Sequence, residues 1–130
     1  EYLDRANGQT FIVIQLEEQR AVDAASAIGA VQGVDVLFFG IADFTVLSGI
    51  PGQFDHPLVH AAIEKIASSA RQAGKHWGAP GFSPQHTRRL LDMGATFICH
   101  MADIILVKQG LERIQQEFAP LGFRFNAPRS

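Results

Sequence analysis

Four segments of strand-forming residues, each followed by a segment with helical spacing, constrain this 130-residue chain more than any other feature. Short apolar runs rich in β-branched and aromatic residues alternate with amphipathic stretches, and Gly, Pro and Asn lie between them. A chain of this kind folds into a parallel sheet with right-handed crossovers. We therefore expect an α/β protein in which the carboxyl ends of four strands share one edge. The strands are expected at 11–16, 34–39, 75–79 and 95–100.

Capping and breaking residues delimit the predicted helices. The chain opens in what resembles the end of a helix, stopped by Asn7 and Gly8. Further helices are expected at 21–31, 57–73, 84–93 and from 103 to the stop at 120. The apolar positions of the last helix favour packing against a core. The first two strands are nearly continuous apolar runs, which predicts strands that are buried on both faces, and Cys99 is expected to be an inert core thiol.

Composition excludes several classes of protein. Hydrophobic residues make up 47% of the chain and charged residues 18%, as in a globular domain that can bury a core. The formal net charge is −2, and no basic run is longer than Arg88-Arg89, which argues against a nucleic-acid or anionic-membrane surface. A single cysteine fits a reducing compartment, so we expect a cytoplasmic location.

Polar side chains follow the first two predicted strands at the edge where a parallel α/β protein binds its ligands. Glu17 comes directly after the first strand, and Asp43 follows the second after Gly40. Two carboxylates at one edge can ligate a divalent cation such as Mg²⁺ or Mn²⁺, while water and substrate complete the coordination. Gln15 places a polar side chain near the end of a buried strand, where it needs a partner.

Each of these residues also has a structural interpretation. Glu17 and Glu18 would suit the first turn of a helix, where acidic side chains are favoured. Asp43 could cap a short turn, and Gln15 could be a satisfied core amide. His100, at the end of the fourth strand, could be an acid or base near the site or could bond to the backbone. Spacing alone leaves these alternatives open.

The sequence resembles the HpcH/HpaI aldolase family, class II pyruvate aldolases whose superfamily includes citrate-lyase β-type enzymes. The strand end Gln15-Leu16-Glu17-Glu18 is similar to the family's Gln-Ile-Glu-Thr, and 40–45, Gly-Ile-Ala-Asp-Phe-Thr, is similar to its Gly-Pro-Ala-Asp-Leu-Ser. The resemblance covers nearly the whole chain. It is carried further by Tyr2-Leu3-x-Arg5-Ala6-Asn7, residues 33–39, His56-Pro57-x-Val59, Ala73-Gly74-Lys75, Met93-Gly94-Ala95-x-Phe97 and Asp103.

The resemblance implies a metal-dependent carbon–carbon lyase. Glu17 and Asp43 would ligate the cation, Mg²⁺ or Mn²⁺ with Co²⁺ and Zn²⁺ as alternatives, and the cation would stabilise a pyruvate enolate. The reaction would be the reversible cleavage of a 4-hydroxy-2-oxo acid to pyruvate and an aldehyde. Gln15 would contact pyruvate, the N–H groups of Ala42 and Asp43 would hold its carboxylate, and Pro80 would face the aldehyde.

Two departures and one shortfall accompany the resemblance. Ile41 replaces the family's proline and Glu18 its threonine. The family fold is a (β/α)₈ TIM barrel of about 250 residues, and this chain resembles only strands five to eight. The half that carries the family's catalytic histidine and arginine has no counterpart here, and none of the five histidines matches the catalytic one. We therefore expect the carboxyl-terminal half of a barrel at 1–125, a flexible tail at 126–130, an isolated fragment without activity, and a homo-oligomer at full length.

Other classes of function remain as alternatives. One is a citrate-lyase-type CoA-ester lyase of the same superfamily. Another is a complete small α/β binding or signalling domain of the flavodoxin or receiver type, for which 130 residues is a natural size. A third is a non-catalytic oligomerisation module that uses the apolar positions of the last helix, such as Leu106, Leu111 and Ile114.

Overall fold

The computed structural model describes residues 2–124, apart from the side chains of residues 3, 4 and 7. Within this range the chain forms four strands and seven α-helices. Two compact units divide the chain after His100, and the last helix belongs to the second. The expected tail at 126–130 lies outside the described residues. The elements are α1 (Tyr2–Gln9), β1 (Val13–Leu16), α2 (Gln19–Asp23), α3 (Ala25–Gly29), β2 (Val36–Phe39), α4 (Ile41–Leu47), α5 (Pro57–Ala73), β3 (His76–Pro80), α6 (Pro84–Asp92), β4 (Phe97–Cys99), α7 (Asp103–Phe118) and a 3₁₀ turn (Ala119–Leu121).

The strands form one parallel sheet in the order β1-β2-β3-β4, which confirms the predicted α/β class. Leu16 pairs with Phe39, and Pro80 pairs with Cys99, so the carboxyl ends of neighbouring strands are level. A flavodoxin-like sheet has the order 2-1-3-4-5, with its first strand inside the sheet. Here the first strand lies at the edge of the described sheet, which argues against the flavodoxin or receiver alternative.

A hydrophobic core fills the space between the helices and one face of the sheet. Alternate strand residues point toward it, because successive side chains of a strand face opposite sides. Helix α5 contributes the largest number of buried residues on the helical side, and α2, α3, α4 and α6 contribute others. The largest fully buried side chains include Leu16, Leu37, Phe39, Phe44 and Ile66.

The other face of the sheet carries phenylalanines in edge-to-face contact, which we call the aromatic face: Phe11, Phe38 and Phe97. The ring centroid of Phe97 lies 5.7 Å from that of Phe38 and 6.0 Å from that of Phe11. Gly78 makes this packing possible, since a Cβ atom there would lie only 1.7 Å from the Phe97 carbonyl oxygen. Phe11 is 60% exposed, so this face is covered only in part.

Two burial predictions are wrong because β1 and β4 lie at the edges of the described sheet. Only β2 is buried throughout, whereas Val13 and Ile14 of β1 are half-buried and Gln15 is exposed. Cys99 is exposed as well, not a core thiol. Strand alternation places it on the same side as Phe97, opposite the helices, while Ile98 packs against the core.

The helices match the predictions best where strong caps occur. Helix α5 has the predicted bounds, the His56 side chain accepts from Leu58 N–H, and Gly74 ends the helix at φ 65°. Helix α1 instead continues through Asn7 and Gly8. The helix predicted at 21–31 is divided at Ala24 into α2 and α3, although helical hydrogen bonds from Ala24 N–H and to Ala24 O continue through the irregularity.

Helix α7 begins at Asp103, as predicted, and ends at Phe118, two residues before the predicted stop, and the burial expected of its apolar side chains is wrong. All of its side chains are exposed or partly so, and none is buried. Its apolar positions are open to solvent, with Ile104 the most exposed at 76%. Within residues 2–124, no helix has both the length and the apolar character needed to cross a membrane.

Candidate functional site

A glutamine and a glutamate from the end of β1 pack together against the glycine that follows β2. The Gln15 Nε2 donates a hydrogen bond of 2.7 Å to Glu17 Oε2. A Cβ atom at Gly40 would lie 2.8 Å from Gln15 Nε2 and 3.0 Å from Glu17 Cβ, so a side chain there would require the Gln15 amide to move. The Gly40 N–H donates to Leu16 O, which continues the pairing of β1 and β2. The structure therefore orients the Glu17 carboxylate through a neighbouring amide rather than leaving it as a freely solvated helix start.

Asp43 lies in the first turn of α4, three residues beyond Gly40. Gly40 is the N-cap, so Asp43 does not cap this segment. The first helical hydrogen bond runs from Phe44 N–H to Gly40 O. The N–H groups of Ala42 and Asp43 precede it and have no partner within the helix. Both residues are exposed and follow β2 at the carboxyl edge of the sheet.

The ends of β3 and β4 form the other part of this edge. Pro80 is the last residue of β3, is half-buried and pairs with Cys99. The next residue, Gly81, donates its N–H to Cys99 O at 2.8 Å and accepts a hydrogen bond from His100 Nδ1. His100 thus bonds to the backbone, as one of its two interpretations expected, and not to Glu17 or Asp43 among the described contacts.

The donor set at this edge suits a hard divalent cation that takes several ligands from water and substrate. Glu17 and Asp43 offer carboxylate oxygens, and the described residues contain no group of three or more His, Cys, Asp or Glu side chains arranged to hold a metal. Two carboxylates are too few for a structural zinc site, which uses four nitrogen or sulfur ligands. They are sufficient for Mg²⁺ or Mn²⁺, which keep water ligands.

A further cavity lies outside this edge, between α5 and α6, and sequence reasoning did not find it. It has a volume of about 210 Å³, and its polar lining includes His60, His86 and Arg89. Burial lowers the pKa of His86 below its usual 6.5, and the Arg89 charge adds to the effect. The His86 ring stacks on Phe82 at 5.1 Å. The i, i+4 spacing of these two aromatic rings at a helix start was the available signal.

The fold is that of an α/β protein with a parallel sheet, and Gln15, Glu17, Ala42 and Asp43 follow its first two strands at the edge where such folds usually bind ligands. The chain belongs to the HpcH/HpaI aldolase/citrate lyase family, whose sequence model matches residues 2–107. Family membership confirms the resemblance found in the sequence.

Curated relatives with 34% and 35% identity to this chain are named aldolases. The 5-keto-4-deoxy-D-glucarate aldolase of Escherichia fergusonii is 34% identical over 91% of this chain and 46% of its own length. The 4-hydroxy-2-oxo-heptane-1,7-dioate aldolase of Shigella sonnei is 35% identical over 91% of this chain and 45% of its own. A crystal structure of an HpcH/HpaI aldolase/citrate lyase family protein from Burkholderia cenocepacia J2315 is 31% identical, with a TM-score of 0.77 over 91% of this chain and 46% of that one. The chain therefore spans about half the length of the relatives it matches.

Proposed function

We propose that this chain supplies the metal-binding, carboxyl-terminal half of a class II aldolase that reversibly cleaves 4-hydroxy-2-oxo acids to pyruvate and an aldehyde. The observation that carries the proposal is the hydrogen-bonded pair Gln15–Glu17 packed on Gly40, with Asp43 following on the next helix. Relatives at 34% and 35% identity are named aldolases, which favours this reaction over CoA-ester lysis. A citrate lyase from Burkholderia xenovorans LB400 with a similar structure is only 24% identical to this chain, which supports the fold alone.

Three features support the half-barrel. Each strand is followed by a helix, and the sheet order is sequential, as in the wall of a (β/α)₈ barrel. The described chain leaves the outer edges of β1 and β4 without a neighbouring strand. The aromatic face is only partly covered, on the side that would point into a barrel. Further strands beside β1 and β4 would pair both edges and bury this face.

The residues at the sheet edge have distinct roles in the proposed reaction. Glu17 and Asp43 would hold the cation, which supplies Lewis-acid stabilisation for negative charge that develops on the substrate. The Gln15 amide orients the Glu17 carboxylate and lies on the same strand face. The N–H groups of Ala42 and Asp43 hold the pyruvate carboxylate, because they have no partner in α4. Pro80 borders the aldehyde end.

Metal binding can be tested on the 130-residue chain itself. We expect Mn²⁺, detected by electron paramagnetic resonance, to bind about tenfold or more weakly to Glu17→Gln and to Asp43→Asn than to the unaltered chain. Glu18→Gln is the matched control, since Glu18 is adjacent but pairs with Arg20 at 3.1 Å. Equal Mn²⁺ affinity in all four proteins would reject the assignment of ligands.

Catalysis is tested on the protein made from its complete reading frame. We expect this protein to release pyruvate from 4-hydroxy-2-oxo acids only when Mg²⁺ or Mn²⁺ is present, because charge on the substrate oxygens needs a Lewis acid. A lactate dehydrogenase-coupled assay measures the pyruvate. Activity that chelators leave unchanged would contradict metal dependence, and cleavage of a CoA ester in place of the oxo acid would support the citrate-lyase alternative.

A further inference from the structure

Gly81 is held to the end of β4 from both sides of its backbone. Its N–H donates to Cys99 O at 2.8 Å, and its carbonyl oxygen accepts from His100 Nδ1. Gly81 is buried, and a Cβ atom there would lie 2.2 Å from Thr87 Oγ1 and 3.3 Å from Ile98 Cγ2. Its peptide is therefore enclosed between β4 and α6, with the histidine as the one side chain that bonds to it among the described contacts.

The bond fixes the tautomer of the imidazole. A backbone carbonyl can only accept a hydrogen bond, so Nδ1 of His100 must carry the hydrogen. The other ring nitrogen, Nε2, is left without a described protein partner, and the ring lines a cavity of about 270 Å³ beside α6. His100 therefore acts as a donor to the backbone through Nδ1 and does not need to transfer that proton.

The hydrogen bond from His100 Nδ1 to the Gly81 carbonyl, which we call the tether, bears on the residue before Gly81. Pro80 has no N–H, so it cannot donate to the strand beside it. The first backbone donor after it is the N–H of Gly81, just beyond the end of β3, and the Gly81 carbonyl accepts a hydrogen bond from His100. These two bonds therefore hold the residue that directly follows Pro80 at the sheet edge.

We propose that His100 is a positioning residue: through Gly81 it fixes Pro80 against the aldehyde end of the substrate. This inference rests on the proposed aldolase function. In it, His100 is neither a metal ligand nor an acid or base in the reaction. Loss of the Nδ1 donor frees the Gly81 carbonyl and lets the Pro80 ring shift. The half of the reaction that involves pyruvate alone, at Glu17 and Asp43, does not depend on this position.

Two partial reactions of the protein from the complete reading frame separate these roles. Exchange of the pyruvate methyl hydrogens in D₂O, followed by proton NMR, reports the pyruvate half. Condensation of pyruvate with acetaldehyde or butyraldehyde reports the aldehyde half through the aldehyde KM. For His100→Ala we expect an aldehyde KM raised about tenfold, as for the loss of one hydrogen bond, with the exchange rate within about twofold of the unaltered protein. His100→Asn offers an amide N–H near the position of Nδ1, and we expect it to restore most of the KM.

The outcomes distinguish the two proposals. An unaltered protein that does not exchange pyruvate hydrogens overturns the proposed function, and the inference with it. An aldehyde KM that does not change in His100→Ala, or that rises equally in His100→Ala and His100→Asn, overturns the positioning role alone. If His100→Ala lowers the exchange rate and the condensation activity to the same extent, the positioning role is also overturned. Nitrogen-15 NMR of the histidine-labelled protein gives an independent test, because a His100 ring protonated only at Nε2 would contradict the tether.

Discussion

At the residue scale, the absence of a side chain at Gly40 affects how Gln15 and Glu17 pack at the carboxyl edge of the sheet. Gly40 allows Gln15 and Glu17 to pack closely against it, and a Cβ atom there would require the Gln15 amide to move. The residue types at this edge could be chosen from the sequence, since strand ends in a parallel sheet are ligand sites. The hydrogen bond between Gln15 and Glu17 could not be predicted from the sequence, because side-chain rotamers and partners depend on the packing around Gly40.

Gly78 gives a residue-scale prediction about stability. A methyl group at this position would meet the backbone carbonyl of Phe97, which cannot move without breaking the pairing of β3 and β4. We expect Gly78→Ala to lower the free energy of unfolding by about 3 kcal/mol or more. This free energy can be measured by urea denaturation, with circular dichroism used to monitor unfolding.

The matched control for Gly78→Ala is Gly8→Ala. Gly8 lies in helix α1, and no atom comes within 4 Å of a Cβ there. We expect Gly8→Ala to leave stability unchanged or raise it by up to about 1 kcal/mol, since alanine favours the helix. An equal effect of both substitutions would show that the close approach of Phe97 to Gly78 is not the cause.

At the element scale, the sequence predicted secondary structure where local chemistry decides it. Helix α5 has a proline at its first position and a left-handed glycine after its last, and its bounds were predicted correctly. Helix α6 likewise begins after Ser83, whose Oγ accepts from His86 N–H. Exposure of β1 and of Cys99 could not be predicted, because it depends on which strands have neighbours and not on residue type.

The connection between β3 and α6 gives a pH-dependent prediction. His86 Nδ1 accepts a hydrogen bond from Phe82 N–H at 3.3 Å, which requires an unprotonated nitrogen. Burial and then the Arg89 charge lower the pKa of His86, His60 lowers it further, and Asp55 opposes them. The cavity also presents Glu64. The folded chain therefore prefers the neutral ring.

The sign of the effect follows from which state binds the proton first. As the pH falls below 6.5, the usual pKa, the unfolded chain takes up a proton at His86 before the folded chain does. The free energy of unfolding should therefore decrease as the pH falls from 6.5 to the lowered pKa of the folded state. Above pH 6.5, His86 should not affect it. Urea denaturation at a series of pH values measures the slope. We expect His86→Asn to flatten it, because the Asn Oδ1 can accept from Phe82 N–H but does not titrate; identical slopes would contradict the prediction.

At the scale of the whole molecule, the sheet has features of a structure that continues beyond its described strands. Among the described residues, no strand pairs with the outer edge of β1 or of β4, and the aromatic face is partly exposed. The relatives that match this chain are about twice as long. The sequence could predict the parallel sheet from alternation alone, whereas the proposed closure into a barrel depends on strands that this chain does not contribute.

These surfaces lead to a prediction about association. An exposed apolar face and open strand edges favour pairing with another copy of the chain. We expect the 130-residue chain to self-associate, with a weight-average mass in sedimentation experiments that rises with concentration. Phe11→Lys places a charge on the aromatic face and should weaken the association.

The control for Phe11→Lys is Val46→Lys on helix α4, since Val46 is 61% exposed and Phe11 is 60% exposed, while Val46 lies away from the aromatic face. If both substitutions weaken association equally, general surface charge and not the aromatic face is responsible. In the protein from the complete reading frame the proposed additional strands would bury Phe11. There the same Phe11→Lys change should lower the free energy of unfolding rather than alter association, because a buried unpaired charge is costly.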